Sequence, residues 1–143
     1  MLNKALLYRI IDANINRAVE GLRVVEEVCR FILRSRSLTN RLKIIRHKIF
    51  DILETSDLKK FIGARRMQED AGRYLDACEL KRKDIGSIFF ANLQRVKESI
   101  RVLEEYYKLI NTKKALEFKR LRYLLYELEK KISKKLSSLL ASG

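Results

Sequence analysis

The sequence predicts an all-α fold, a helical bundle of two helical hairpins related by an internal pseudo-twofold repeat. Three observations support this prediction. Apolar residues recur at spacings of three and four along most of the chain, which is the period of an amphipathic helix. The 143 residues include no proline and only five glycines, so long helices meet few breakers. The stretch at 13–31 is repeated at 91–109.

The repeat is carried mainly by polar residues. Two helices that needed only similar apolar faces would repeat Leu and Ile. Repeated Asn, Arg and Glu therefore indicate that the polar side chains have the same function in both copies. An old duplication whose surface charges have changed little is the alternative interpretation. Aligned without a gap, the two copies share Ala13 and Ala91, Asn14 and Asn92, Arg17 and Arg95, Glu20 and Glu98, Arg23 and Arg101, Val24 and Val102, Glu26 and Glu104, and Glu27 and Glu105.

The first helix has a wide apolar arc. Asp12 is a candidate N-cap, and a start nearer Asn3 is the alternative. A projection at about 100° per residue places Asn14 and Arg17 inside the arc, where an unpaired amide or cation is costly. Arg17 and Arg95 have two possible roles, which the sequence does not distinguish: each contacts a ligand, or each forms a buried ion pair with a carboxylate of the protein. The arc consists of Ile15, Ala18, Leu22, Val25, Cys29 and Ile32, with a second edge of Val24, Val28 and Phe31.

The two arginines have small residues beside them. Gly21 and Ser99 lie one turn beyond Arg17 and Arg95, and we expect them to leave room next to each guanidinium. If each Asn and Arg pair faces a ligand, the two halves would bring them to one pocket across the pseudo-dyad or to two related pockets. The other charged residues fall at the spacing of ordinary helix-surface ion pairs; they are Glu20, Arg23 and Glu27.

The second helix is predicted to begin at Ser37 or Thr39 and to end at Glu54. Arg46 lies at the edge of the apolar face of this helix, and His47 is the next residue. The segment is echoed near the C-terminus, where Arg122 and Tyr123 align with these two residues. The repeated unit is therefore a helical hairpin. Its apolar face consists of Leu42, Ile45, Ile49, Ile52 and Leu53.

The middle of the chain, 56–83, is the least regular part. A short helix is predicted at 57–62, followed by a polar run that is longer than an ordinary connector and so typical of a functional segment. Arg65, Arg66, Asp70 and Gly72 would supply phosphate-binding cations, a metal-binding carboxylate and a turn. A solvated linker between the halves is equally compatible. The chain is predicted to be one domain, 1–143, with repeat halves at about 10–55 and 84–140.

The second hairpin is predicted to begin after a cap at Asp84, and its first helix to end near Ile110. Thr112 is the candidate cap of the last helix. Its basic, amphipathic end at 130–140 is compatible with an anionic membrane surface, but a core helix with a solvated lysine face is favoured. The apolar face of the last helix consists of Phe118, Leu121, Leu125, Leu128 and Ile132.

Composition limits the function classes. A net charge of +14 indicates a polyanionic or phosphorylated partner or simply a basic surface. The acidic residues are interleaved with the basic ones, which argues against a helix that reads nucleic acid. Cys29 and Cys78 lack metal-ligand spacing, so a reduced, cytoplasmic chain is predicted. His47 is the single histidine, which excludes a multi-histidine metal site, and there is no glycine-rich phosphate loop.

Four motifs carry a resemblance to a known family. They are IIDANINRAVEGLRVVEEVCRF at 10–31, LKIIRH at 42–47, ANLQRVKESIRVLEEYYK at 91–108 and RYLLYELE at 122–129. With them the chain resembles the small helical, noncanonical hydroxymethylpyrimidine phosphate kinase family of thiamine biosynthesis, which also occurs as an N-terminal extension of thiamine-phosphate synthase.

The resemblance implies ATP-dependent phosphorylation of hydroxymethylpyrimidine phosphate to its diphosphate, with ATP and Mg²⁺ required. Thiamine-phosphate synthase is an implied partner, no membrane is involved, and a homo-oligomer stays open. A non-catalytic synthase-associated domain and a basic nucleic-acid-binding module are the alternatives. Candidate metal ligands are Asp70, Glu20 and Glu98. Candidate substrate or phosphate contacts are Asn14, Arg17, Glu20, Arg23, Arg46, His47, Arg66, Asn92, Arg95, Glu98, Arg101 and Arg122.

Overall fold

The computed structural model describes residues 3–74 and 80–142. Within them there are five α-helices and no strand, and 84% of these residues are helical, so the all-α prediction is confirmed. The pseudo-twofold relation between the halves stays a prediction. The elements are α1 (Lys4–Glu27), a π-helical turn (Val28–Ile32), α2 (Arg36–Ile52), α3 (Thr55–Gly63), a 3-10 turn (Met67–Glu69), α4 (Ile85–Tyr107) and α5 (Thr112–Ser142).

Helix α1 begins at the alternative start near Asn3, which is confirmed, and α2 begins before its predicted caps. The Asn3 side chain accepts a hydrogen bond from the backbone N–H of Ala5 at 2.9 Å, so Asp12 lies inside α1 and caps nothing. Ser35 caps α2 by accepting from the N–H of Leu38. In each case an earlier side chain can satisfy the first unpaired N–H groups, and the helix extends to it.

The second hairpin begins almost as predicted. Asp84 forms a capping box with Ser87, which confirms that prediction. The last helix begins at Thr112, but its cap is Asn111, whose side chain accepts from the backbone N–H groups of Lys113 and Lys114. In the middle of the chain, α3 is slightly longer than predicted. Cys78 and the rest of 75–79 lie outside the described residues.

The core is built around α1 and α4, which pack against each other. Helix α2 packs on α1, α5 packs on α4, and the predicted apolar faces of α2 and α5 are fully buried. The predicted α1 face is buried up to Cys29, but Ile32 is exposed; on α4 the apolar residues are buried up to Tyr107, and Ile110 beyond it is exposed. The second edge of α1 holds only in part, because Val28 is buried while Phe31 is 61% exposed. The π-helical turn places an extra residue in this turn and so shifts the positions after it.

Cys29 is a buried apolar residue of this core. Burial, with the nearby Glu26 charge, raises the pKa of its thiol to about 11. The side chain is therefore a neutral core group at physiological pH. None of the helices in 3–74 and 80–142 is both long and apolar enough to cross a membrane.

Gly21 allows the two central helices to approach closely. A Cβ atom at this position would lie 2.6 Å from Val96 Cγ2 and 3.1 Å from the carbonyl oxygen of Asn92. The small residue therefore serves the contact between α1 and α4, and the expectation that it leaves room for Arg17 is wrong. The helix backbone of α4 occupies that space.

We expect Gly21→Ala to lower the free energy of unfolding by about 1–3 kcal/mol, because overpacking outweighs the gain in helix propensity. Adding Val96→Ala should recover part of this loss in a double-mutant cycle. Gly63→Ala is the control, since its Cβ would meet nothing within 4 Å. Urea denaturation gives the free energy of unfolding of Gly21→Ala, Val96→Ala, the double variant and Gly63→Ala. A Gly21→Ala protein as stable as the wild type would contradict the close approach.

The Tyr107 hydroxyl is a buried polar group that has no hydrogen-bond partner within the described residues. Burial, followed by the charges of Asp57 and Glu54, raises the pKa of this phenol. Since a buried unsatisfied hydroxyl costs about 1–3 kcal/mol, Tyr107→Phe should leave stability unchanged or raise it by about 1 kcal/mol. Thermal denaturation checks this. A clear loss of stability would mean that the hydroxyl has a bonding partner in solution.

Candidate functional site

The polar residues predicted inside the apolar arc lie in different places. Asn14 is buried, as predicted, and Asn92 is half-buried, but each amide donates to the carbonyl oxygen one turn earlier in its own helix at 2.8 Å. Their amide donors therefore need no ligand. Arg17 and Arg95 are exposed, so the prediction that they are semi-buried is wrong. The bundle buries a narrower arc than the projection assumed, and these long side chains reach solvent.

The arginines that meet buried carboxylates are instead those of the second and fifth helices. Arg46 Nε lies 3.0 Å from Glu26 Oε2, and Arg122 Nε lies 3.0 Å from Glu104 Oε2. Glu26 and Glu104 are only 3% and 4% exposed. Each pair joins the two helices of one hairpin, and the distance is the same in both halves.

A second arginine completes each group. Arg23 Nη1 lies 3.6 Å from Glu26 Oε1, and Arg101 Nη1 lies 3.4 Å from Glu104 Oε1. We name Arg23, Glu26 and Arg46 the first triad, and Arg101, Glu104 and Arg122 the second triad. The outer arginines are about half exposed and also pair with a second glutamate one position further along. The predicted surface ion pair between Arg23 and Glu27 is thus present.

The second triad borders an open cleft between α4 and α5. The cleft has a volume of about 330 Å³. We name it the α4–α5 cleft. Three cations and an aromatic ring face it, which suits a ligand that has both a phosphate group and a ring. Its lining residues are Gln94, Lys97, Glu98, Arg101, Arg122 and Tyr126.

The cations of this cleft are held in place by carboxylates. The hydrogen bond to Glu104 raises the pKa of Arg122, so this guanidinium is permanently charged. Lys97 Nζ lies 2.6 Å from Glu129 Oε2 and 5.1 Å from the centroid of the Tyr126 ring. Because the buried Glu104 and the partly buried Glu129 fix Arg122 and Lys97, the remaining donors of these cations can face a ligand without losing much side-chain entropy.

The two hairpins differ at the positions that surround the triads. Lys97, Tyr126 and Glu129 align with three apolar residues of the first half: Val19, Phe50 and Leu53. Leu53 is buried, whereas Lys97 and Glu129 form an ion pair. The triad is therefore common to both halves, but the additional lysine and the tyrosine hydroxyl belong to the second half.

The middle segment contacts the first half. Arg65 pairs with the buried Asp12, with its Nη2 lying 2.8 Å from Asp12 Oδ1, and this hydrogen bond raises the pKa of Arg65. Arg9 donates to the carbonyl oxygen of Arg66 at 3.2 Å. These contacts hold the start of the middle segment on α1, so in this part the segment is more than a solvated linker.

The remaining predicted site residues are scattered. Arg66 and His47 are exposed, and the Asp70 carboxylate accepts from the backbone N–H of Gly72 at 2.9 Å. Glu98 lines the α4–α5 cleft and accepts from Gln94 at 3.0 Å, while Glu20 is its exposed counterpart on α1. The structure thus groups Glu98, Arg101 and Arg122 at the α4–α5 cleft and Arg23 with Arg46 in the first triad, and it leaves the others apart.

The described residues contain no group of three or more His, Cys, Asp or Glu side chains suited to a metal ion. Mg²⁺ does not require such a group, because it is commonly bound through one or two carboxylates together with substrate phosphates. Glu98 fits this pattern, since its carboxylate faces a cleft whose cations suit phosphates. Asp70 and Glu20 do not line this cleft.

Sequence reasoning missed Lys97 and Tyr126 as site residues. A signal was available, since Lys97 replaces an apolar residue of the first copy and lies next to the repeated polar positions. Glu104 was counted in the repeat but not in the site. Its role as the anchor of Arg122 depends on a contact between helices that the repeat does not encode.

Comparison with known proteins identifies the family. The model of the ThiD2 family matches residues 9–131. The chain belongs to the ThiD2 family. No solved structure matches it. The match covers both triads and the whole lining of the α4–α5 cleft, so these features lie within the family domain.

The ThiD2 domain of this chain is similar to part of several longer proteins. It is 42% identical to thiamine-phosphate synthase of Nostoc sp. PCC 7120 over 87% of this chain and 34% of that protein. The corresponding protein of Synechocystis sp. PCC 6803 is 45% identical over 85% of this chain and 34% of its own length. The chain thus spans about a third of these relatives, at their N-terminal part, and the family is one of thiamine biosynthesis.

Proposed function

We propose that this ThiD2 domain transfers the γ-phosphoryl group of ATP to hydroxymethylpyrimidine phosphate and that the α4–α5 cleft holds a phosphate group of the reactants. The observation that carries the proposal is the convergence of Lys97, Arg101 and Arg122 beside the ring of Tyr126 in one cleft. Membership of a thiamine biosynthesis family supports the substrate class.

For phosphoryl transfer, the protein mainly has to position the two substrates and stabilise negative charge on the transferred group. A phosphate oxygen of the pyrimidine substrate forms a bond to the γ-phosphorus, and the bond from that phosphorus to the β-phosphate bridging oxygen breaks, which releases ADP. Charge spread over the phosphoryl oxygens in the transition state is stabilised by fixed cations. Arg101 and Arg122 are suited to this task, because a guanidinium can donate two parallel hydrogen bonds to phosphate.

The other lining residues have supporting roles in this proposal. Lys97 adds a point charge, and Tyr126 offers a ring face against which a pyrimidine can stack. Glu98 would hold Mg²⁺ together with substrate phosphates, and the ion would neutralise charge on the β- and γ-phosphate oxygens. Glu104 acts through Arg122, since it fixes the direction of that guanidinium.

The test is a turnover assay on the purified chain. With ATP, Mg²⁺ and hydroxymethylpyrimidine phosphate, ³¹P NMR should show ADP and the pyrimidine diphosphate appearing in equal amounts. The same protein carrying Arg101→Ala controls for a contaminating kinase. Absence of the diphosphate at high enzyme concentration would contradict the proposal.

A partnership with thiamine-phosphate synthase is a second proposal. It is supported by the relatives, in which a segment like this chain forms the N-terminal third of proteins with that name. A domain that only passes substrate to a synthase would show no turnover alone but would bind the synthase. Pull-down with a purified synthase from the same source separates this role from the kinase role.

A further inference from the structure

A second and larger cleft lies on the other side of α5, between this helix and the start of α2. Its volume is about 700 Å³, about twice that of the α4–α5 cleft. Arg41, Lys131, Lys134 and Lys135 line it together with serine hydroxyls and the apolar side chains of Leu33, Leu38 and Leu139. We name it the basic cleft.

The charge around the basic cleft is of one sign. The stretches that build it, 33–41 and 130–142, carry seven Arg and Lys and no Asp or Glu, so they account for half of the net charge of +14. Elsewhere in the chain all 18 acidic residues are interspersed with the remaining basic ones. In the described parts of the chain, the four lining cations form no ion pair. A concave surface with unpaired cations concentrates anions.

The shape of the cleft indicates more than a single phosphate. Four cations suit an anion with several charges, and Ser37 can donate a hydrogen bond to its oxygens, whereas the Ser138 hydroxyl donates to the carbonyl oxygen of Lys134 at 3.1 Å. The leucine side chains offer an apolar surface for an organic group. The volume falls in the range of clefts that take small organic ligands, about 300–1,000 Å³.

The basic cleft is separate from the proposed kinase site. Arg122 and Lys134 are twelve residues apart on α5, which is roughly 18 Å along a helix. The clefts also open toward different neighbours, α4 and α2. Phosphoryl transfer requires reacting atoms at about 3–3.5 Å, so an anion bound at Lys134 would be too far from a phosphate at Arg122 to react with it.

We propose that the basic cleft is an accessory binding site for a nucleoside polyphosphate. Most of its α5 residues lie beyond residue 131, where the family match ends. The site is therefore completed by a C-terminal segment beyond the matched family domain, while its α2 side lies within that domain. It does not depend on the proposed kinase activity.

NMR titration of the ¹⁵N-labelled full chain tests the site without turnover. Titrated ATP should shift the amide signals of Ser37 and Leu38. In the Lys134→Ala/Lys135→Ala variant, the dissociation constant read from these signals should rise at least tenfold. The control is Lys113→Ala/Lys119→Ala, which removes the same charge from exposed positions of the same helix, and it should stay within twofold of the wild type.

Two further titrations decide the ligand class. Inorganic tripolyphosphate should bind several-fold more weakly than ATP, as measured from the same amide signals. Equal affinity would contradict the proposal that the cleft also binds the nucleoside part of the ligand. If a short single-stranded RNA displaces ATP and binds more tightly, the proposed nucleotide ligand is wrong and the basic cleft is a nucleic-acid-binding site. Unchanged ATP affinity in the cleft variant, or shifts confined to the α4–α5 cleft, would overturn the site itself.

Discussion

Replacing Glu104 with alanine is expected to lower the free energy of unfolding by about 3–5 kcal/mol, the usual cost of removing one partner from a buried ion pair. The carboxylate is 4% exposed and contacts both Arg101 and Arg122, and the Arg122 side chain is itself only 12% exposed. Without Glu104, the guanidinium of this mostly buried side chain loses its counter-charge. Urea denaturation at neutral pH gives the difference.

Glu105→Ala is the matched control for this prediction. Glu105 is the next residue on the same helix, pairs with Arg101 and Lys108 at the surface, and should matter little to stability. A combined Glu104→Leu/Arg122→Met variant should recover much of the loss, since apolar residues of similar size can replace a buried pair. Equal losses for Glu104→Ala and Glu105→Ala would contradict the buried anchor.

The corresponding change in the first half, Glu26→Ala, should have a similar effect. Glu26 is as buried as Glu104 and meets Arg46 at the same distance of 3.0 Å. Similar losses of unfolding free energy in both halves would show that the two triads contribute equally to stability, as the pseudo-twofold relation predicts. A much smaller loss for Glu26 would indicate that only the second triad is structurally required.

Arg101→Ala is expected to lower kcat/KM of the proposed kinase by about 100-fold or more, the loss typical of removing one group that stabilises transition-state charge. Its side chain is 54% exposed, so the fold should keep nearly all of its stability. Arg101→Lys should lie in between, since a lysine keeps the charge but loses the bidentate geometry. Initial rates and melting curves on the same preparations separate the two effects.

Lys108→Ala is the control for charge, because Lys108 is exposed on the same helix and also pairs with Glu105. Arg23→Ala gives further information, since Arg23 occupies the equivalent place in the first triad. Full activity of Arg23→Ala would restrict the phosphate to the α4–α5 cleft, whereas an equal loss would indicate two related phosphate sites. Wild-type rates for Arg101→Ala would contradict the proposed clamp.

The helices and their buried faces could be read from the sequence because the information is local. Spacings of three and four predicted the faces of α2 and α5, and both are buried as expected. Capping chemistry located the start of α4 at Asp84. Errors occurred where two side chains competed for one helix end, as with Asn111 and Thr112, because both residues can cap.

The polar repeat pointed to the right residue types, but it did not show which of them meet. Projection on one helix placed Arg17 in the buried arc, since it treats the helix as packed over a wide face. The actual packing buries Glu26 and Glu104 and leaves Arg17 and Arg95 in solvent. How an arc is covered depends on the neighbouring helices, and a single helix does not encode their rotation.

The sequence by itself thus determined the all-α class, the order and approximate positions of the helices, and the presence of a repeated set of Asn, Arg and Glu. Only the tertiary structure decided that Arg122 meets Glu104, that Arg65 of the middle segment pairs with Asp12 of α1, and that α5 forms a cleft on each of two sides. The physical reason is that helix formation depends on neighbours within a few residues of the chain, whereas an ion pair or a cleft depends on the distance and rotation between packed helices.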